Sequence, residues 1–217
     1  MAKTIKNNPK VLGLDVSTKT IGWALFDIQT QELLELTHIS PVPKPKPENK
    51  IQELLEKAEI FRTKLINYKN LGITKVVIEE PLLQSNNVYT IATLLRFNGM
   101  ISRSVYDTLG VTPEFISSYD ARKYAFPELM AVRRFKKDGS PLNEKQIAKN
   151  QPVLFGAYDF NVDKKFILWE KVCELEPQVV WLYDKKNKLK KESFDLSDAY
   201  VAGLGFMNKM GFWNKTL

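Results

Sequence analysis

The chain has 217 residues, of which 44% are hydrophobic and 26% charged, an ordinary globular composition with room for one sizeable α/β domain. No apolar run approaches the roughly 18 residues of a membrane span. The polar N-terminus has no apolar signal core, so an intracellular protein is expected. A single cysteine (Cys173) and a single histidine (His38) exclude an internal disulfide and a thiolate zinc site, while the net charge of +7 favours nucleic acid or an acidic surface as partner.

In chain order, Val11–Leu14 is an apolar run ending in Asp15. After a Ser-Thr-Lys-Thr turn come Ile21–Asp27 and then Leu33–Ile39. Three short apolar segments joined by short turns predict an antiparallel meander. The proline-rich stretch Pro41–Pro47 is a stiff connector. From Glu48 to about Tyr68 apolar residues recur at helical spacing, predicting an amphipathic helix. Lys75–Ile78 reads as a buried strand running into Glu79, Glu80 and Pro81, followed by a helix over Asn87–Leu109 and a short strand at Phe115–Ser117. This order predicts a mixed α/β sheet with helices on its faces, a single domain over 1–217. The stretch from Tyr119 to Lys165 is basic, broken by Gly139, Pro141 and Pro152, and reads as helix and loop. Lys185–Lys191 is a basic run with the pattern of a solvated loop, and Ala199–Met207 belongs to a last helix that opens near Asp195.

Four acids carry the chemical interest. Asp15 ends a strand, where a carboxylate needs hydrogen bonds, a cation or a metal, although it could simply serve the turn at Ser17 and Thr18. Glu79 and Glu80 end another strand. Alternation lets only one of them point into a given site, and Glu79 continues the strand most directly. Asp195 and Asp198 are one helical turn apart, which suits either a shared site or capping and dipole stabilisation at a helix start. If the two strands are neighbours and the helix packs beside them, these acids converge into an oxygen-ligand set for hard divalent cations. Two such ions about 3.5–4 Å apart can activate water and stabilise the leaving oxygen of a phosphodiester.

Val-Leu-Gly-Leu-Asp15-Val-Ser-Thr-Lys-Thr-Ile-Gly-Trp-Ala, Val-Val-Ile-Glu79-Glu and Asp195-Leu-Ser-Asp198-Ala resemble, in order and rough separation, the first, second and last motifs of RuvC-type Holliday junction resolvases. The resemblance covers the framework of most of the chain. It implies a ribonuclease H-like fold with a five-stranded sheet, and it assigns metal ligation to Asp15, Glu79, Asp195 and Asp198. It also implies two Mg²⁺ ions, with Mn²⁺ as an alternative, and a homodimer that nicks four-way DNA junctions to leave a 3′-hydroxyl and a 5′-phosphate. Tyr119-Asp-Ala-Arg-Lys resembles a segment preceding DNA-contacting lysines. Glu144-Lys145-Gln146-Ile147 resembles the segment with a lysine near the scissile phosphate, which singles out Lys145. Two features depart from the pattern. Leu82 stands where bacterial members often carry a junction-opening aromatic, and a basic, insertion-like region spans about 128–165.

Arg122, Lys123, Arg133, Arg134, Lys136 and Lys137 lie between the second and last motifs and are candidate phosphate contacts. Among them Tyr119, Tyr124, Phe126 and Phe135 suit either base stacking or a core. His38 lies away from every motif and is expected to be structural. Competing readings are a general branched or flap DNA endonuclease, a sugar kinase or actin-like ATP-binding protein, and a catalytically silent DNA-binding module.

Overall fold

The computed structural model describes residues 8–81 and 87–213. Leu82, the expected aromatic position, lies outside the described residues. The meander forms as expected: β1 (Lys10–Val16), β2 (Ile21–Asp27) and β3 (Glu32–Ile39) pair antiparallel in sequence. Beside β1, β4 (Ile73–Glu79) and then β5 (Glu114–Ile116) add in parallel, giving the sheet order β3-β2-β1-β4-β5.

Each helix arises from local signals. In α1 (Lys50–Ile66) the Asn49 side chain caps the Gln52 amide at 2.9 Å, and Leu54, Ala58, Phe61 and Leu65 form the buried stripe. α2 (Val88–Leu109) starts at the Asn87 cap and stops at Gly110, whose φ of 69° is the left-handed conformation that ends helices. These two helices cover one face of the sheet and pack on Leu12, Leu14, Trp23, Leu25, Val76 and Ile78.

The opposite face carries α6 (Lys191–Lys209), which is buried at Ser193 and then continuously from Asp195 to Met207. Val11, Ala24, Phe26 and Val77 meet it from the sheet. α3 (Ser118–Ala125) and α5 (Lys164–Leu175) pack alongside α6. The basic region reads as helix and loop in sequence. It contains a two-stranded antiparallel sheet of β6 (Met130–Val132) and β7 (Pro152–Leu154), separated by the one-turn helix α4 (Glu144–Ile147). Among the described residues, no helix is long and apolar enough to cross a membrane.

Candidate active site

Strand parity brings the first two acids together. In β1, Val11 and Gly13 face α6 while Leu12 and Leu14 face α1 and α2, so Asp15 falls on the α6 side. In β4, Val77 faces α6 and Val76 and Ile78 face away, which puts Glu79 on the same side. The parallel pairing runs through Leu14 and Ile78, so Asp15 and Glu79 are neighbours one residue beyond it. Glu80 falls on the other face. It lines an open pocket of about 530 Å³ with Leu95, Asn98 and Phe115, and is exposed.

Two glycines bring the second pair of acids down onto the sheet. A Cβ on Gly13 would come within 2.6 Å of the Ala199 carbonyl oxygen, and a Cβ on Gly22 would overlap the Asp195 carbonyl. Only bare backbone at both positions lets α6 lie this close, and it sets Asp195 and Asp198 over the end of β1. The helix begins at Lys191, and Lys190 holds the N-cap position without a side-chain cap, so Asp195 is not the N-cap. Both aspartates are in the helix body and buried, at 5% and 6% exposure. The capping alternative left open by the sequence is thereby removed, and each buried carboxylate needs another reason to be there.

The electrostatics show four acids within range of one another. The Asp15 carboxyl is pushed well above the usual range, first by burial, then by the charges of Glu79, Asp198 and Asp195. Glu79 is pushed up to about 7 by burial and by Asp198, although the Ser118 hydroxyl donates to it and Arg122 and Lys165 oppose the shift. Asp195 is raised by burial, against Lys165, Lys191 and a hydrogen bond from Thr20. Lys165 Nζ lies 2.7 Å from Asp198 Oδ2, and Arg122 Nη2 lies 3.9 Å from Asp198 Oδ1. Burial works against the Lys165 ammonium, but Asp198, Asp15 and Asp195 together hold its pKa above the ordinary lysine value. Among the described residues, no three such side chains are already closed around one point as a metal cage.

The basic residues divide differently from the sequence expectation. Lys145 is exposed on α4 and forms no ion pair with the four acids; Lys165, at the second position of α5, is the lysine that reaches them. Arg122 turns toward Asp198 and its side chain is only 21% exposed. Lys123 lies over the Tyr124 ring and Arg133 over the Phe160 ring, whereas Arg134, Lys136 and Lys137 are exposed around the Phe135–Pro141 bridge. Of the aromatics, Phe126 is core at 1% exposure and Tyr119 is 49% exposed. Ser118 and Thr20 were missed because hydroxyls beside carboxylates leave no sequence pattern of their own. His38 pairs with Gly22 across β2 and β3, within the sheet.

A meander extended by two parallel strands, with a last helix laying acids across the first strand, defines the ribonuclease H-like fold in its RuvC form. Thermus thermophilus RuvC matches with a TM-score of 0.52 at 13% identity, over 93% of this chain and 96% of that one. The same protein in complex with a Holliday junction substrate gives 0.57 at 11% identity, over 94% and 98%. The yeast mitochondrial Holliday junction resolvase Ydc2 gives 0.52 at 10% identity, over 93% and 79%. No protein-family model matches the sequence, and no curated protein matches it.

Proposed function

We propose that the chain is a metal-dependent, structure-specific DNA endonuclease that resolves Holliday junctions as a homodimer. The observation that carries this is the set of four acids, Asp15, Glu79, Asp195 and Asp198, gathered on one face at the end of β1 and β4, where burial and the neighbouring acids raise the proton affinities of Asp15, Glu79 and Asp195. The fold shared with structures of two junction resolvases supports the reading.

The donor set fits a hard divalent cation. It is made of carboxylate oxygens alone, and its excess negative charge is what Mg²⁺ or Mn²⁺ would neutralise. Asp15, Glu79, Asp195 and Asp198 would hold two such ions, which supply Lewis acidity for water attack and leaving-oxygen stabilisation. The chain's own groups do the rest. Ser118 orients Glu79, and Thr20 orients Asp195. Lys165 balances Asp198 and, beside the four acids, would hold the phosphate undergoing attack. Arg134, Lys136 and Lys137 would grip flanking phosphates. Two sites in a twofold dimer suit a substrate with two equivalent strands.

The test is cleavage of a synthetic four-way junction, a flap and a linear duplex in Mg²⁺. Paired, symmetric nicks in the junction with 3′-hydroxyl and 5′-phosphate ends are expected, and they should disappear in Asp15→Asn while junction binding persists. Equal cutting of flap and junction would transfer the reading to a general branch endonuclease. Full nicking by the purified variant would remove the site assignment.

A further inference from the structure

Beyond the acids, α5 and the segment that follows it carry a surface the cleavage chemistry does not use. Phe166 follows Lys165 directly and is 41% exposed. Its ring packs on Trp169 at 5.1 Å between centroids, and Trp169 meets Trp181 edge-on at 5.9 Å. Trp181 and Trp169 are both half-buried, and Trp181 is also bonded to the Cys173 thiol. Phe166 is therefore the outermost ring of a supported aromatic stack, not a stray apolar side chain.

The basic run read as a solvated loop grows out of this stack. Lys190 donates its amide to Leu182, Tyr183 bridges Leu189, and Asn187 turns the tip with a φ of 57°, so residues 182–190 form a small hairpin. Lys185, Lys186 and Lys188 on it are exposed. The base is latched to α6, where the fully buried Ser193 hydroxyl bonds both the amide and the carbonyl of Leu182 at 3.0 Å. Ser193 is two residues before Asp195. The rigid element that presents two of the acids thus also anchors the lysine hairpin, and Lys165 ties the stack to the same acids.

We infer that Phe166, backed by Trp169 and Trp181, forms with the lysine hairpin that leads on from Trp181 a binding surface for an unpaired segment of DNA beside the cleavage site. An exposed ring next to a cation-rich loop complements a strand whose bases are free to stack and whose phosphates are free to pair with lysine. Duplex DNA offers the phosphates but not the base faces. The inference rests on the nuclease reading for its biological setting and on the stack and hairpin for its ligand.

The experiment uses the full chain and oligothymidylate, with tryptophan fluorescence and a salt series as readouts. Trp23 and Trp213 are core residues, so a change on binding reports Trp169 and Trp181. Oligothymidylate should quench the wild type, Phe166→Ala should bind it about tenfold more weakly, and Phe166→Trp should restore binding. Replacing Lys185, Lys186 and Lys188 with Ala should flatten the salt dependence by about two units of slope. Phe166 is exposed, so its loss leaves the fold intact. Binding by Phe166→Ala within twofold of wild type, or equal affinity of wild type for duplex and single strand, would overturn the inference. Four-way-junction cleavage is scored separately. Cleavage by wild type with unaltered Phe166→Ala binding overturns this surface alone, whereas the expected binding loss without any wild-type cleavage overturns the nuclease reading alone.

Discussion

The two faces of the central sheet are built to different ends. The face of the sheet under α1 and α2 packs apolar side chains, with Leu12, Leu14, Trp23 and Ile78 against Leu54, Phe61, Phe97 and Ile101. The face under α6 buries Ser193, Asp195, Ser197 and Asp198 along the same helix that closes its core, and two glycines remove the side chains that would have kept that helix away. One face therefore contributes stability through burial of apolar area. The other holds buried carboxylates in a state that costs stability.

This contrast can be broken most sharply at Asp15. Asp15→Asn should lower junction cleavage on the order of 10³-fold or more while the protein stays folded, measured as single-turnover nicking alongside circular dichroism. Lys165→Met should lower it on the order of 10²-fold, with the loss in kcat and not in junction affinity if the lysine acts on the reacting phosphate. Gly22→Ala and Leu54→Ala then compare the faces directly. Leu54, 1% exposed, should cost about 2–5 kcal/mol of stability in denaturant melts and leave the folded enzyme's cleavage rate near wild type. Gly22→Ala pushes against the Asp195 backbone. It should cost about 1–3 kcal/mol and reduce cleavage as well, because Asp195 moves with the helix.

The smallest effect is the pH dependence of the metal-free protein. Glu79 ionises near 4.5 in an unfolded chain and near 7 when folded, so the folded state holds the extra proton between those values. The Glu79 contribution to stability in EDTA should therefore fall as pH rises from about 4.5 to 7 and level off above. Glu79 would contribute up to about 3 kcal/mol of that loss. Glu79→Gln should be more stable than wild type at pH 8 and match it near pH 4.5, measured by denaturant unfolding; equal stability at pH 8 would show the carboxylate is not penalised.

Much of the fold could be read from the sequence where periodicity ran long. The meander, α1, α2 and β4 fall within a few residues of their expected limits. The Asp15–Glu79 pairing was legible as a motif, but the choice of Glu79 over Glu80 became physical only with the sheet register, since parity alone does not say which face carries the site. β6 and β7, at three residues each, are too short to show alternation, and α4 is a single turn. Capping by Asp195 stayed open in the sequence because its polar neighbours hide a helix that starts four residues earlier. Lys165 leaves no signal of its own in a basic stretch of sequence, and only the packing of α5 against α6 aims it at Asp198.

The central claim, that these acids wait for divalent cations, is tested most directly by thermal melts at pH 8 in EDTA and in Mg²⁺. Magnesium should raise the wild-type Tm by about 4 °C or more, raise that of Leu54→Ala by the same amount, and leave Asp15→Asn and Glu79→Gln nearly unmoved. A wild type indifferent to magnesium, or a shift that persists undiminished in Asp15→Asn, would contradict it.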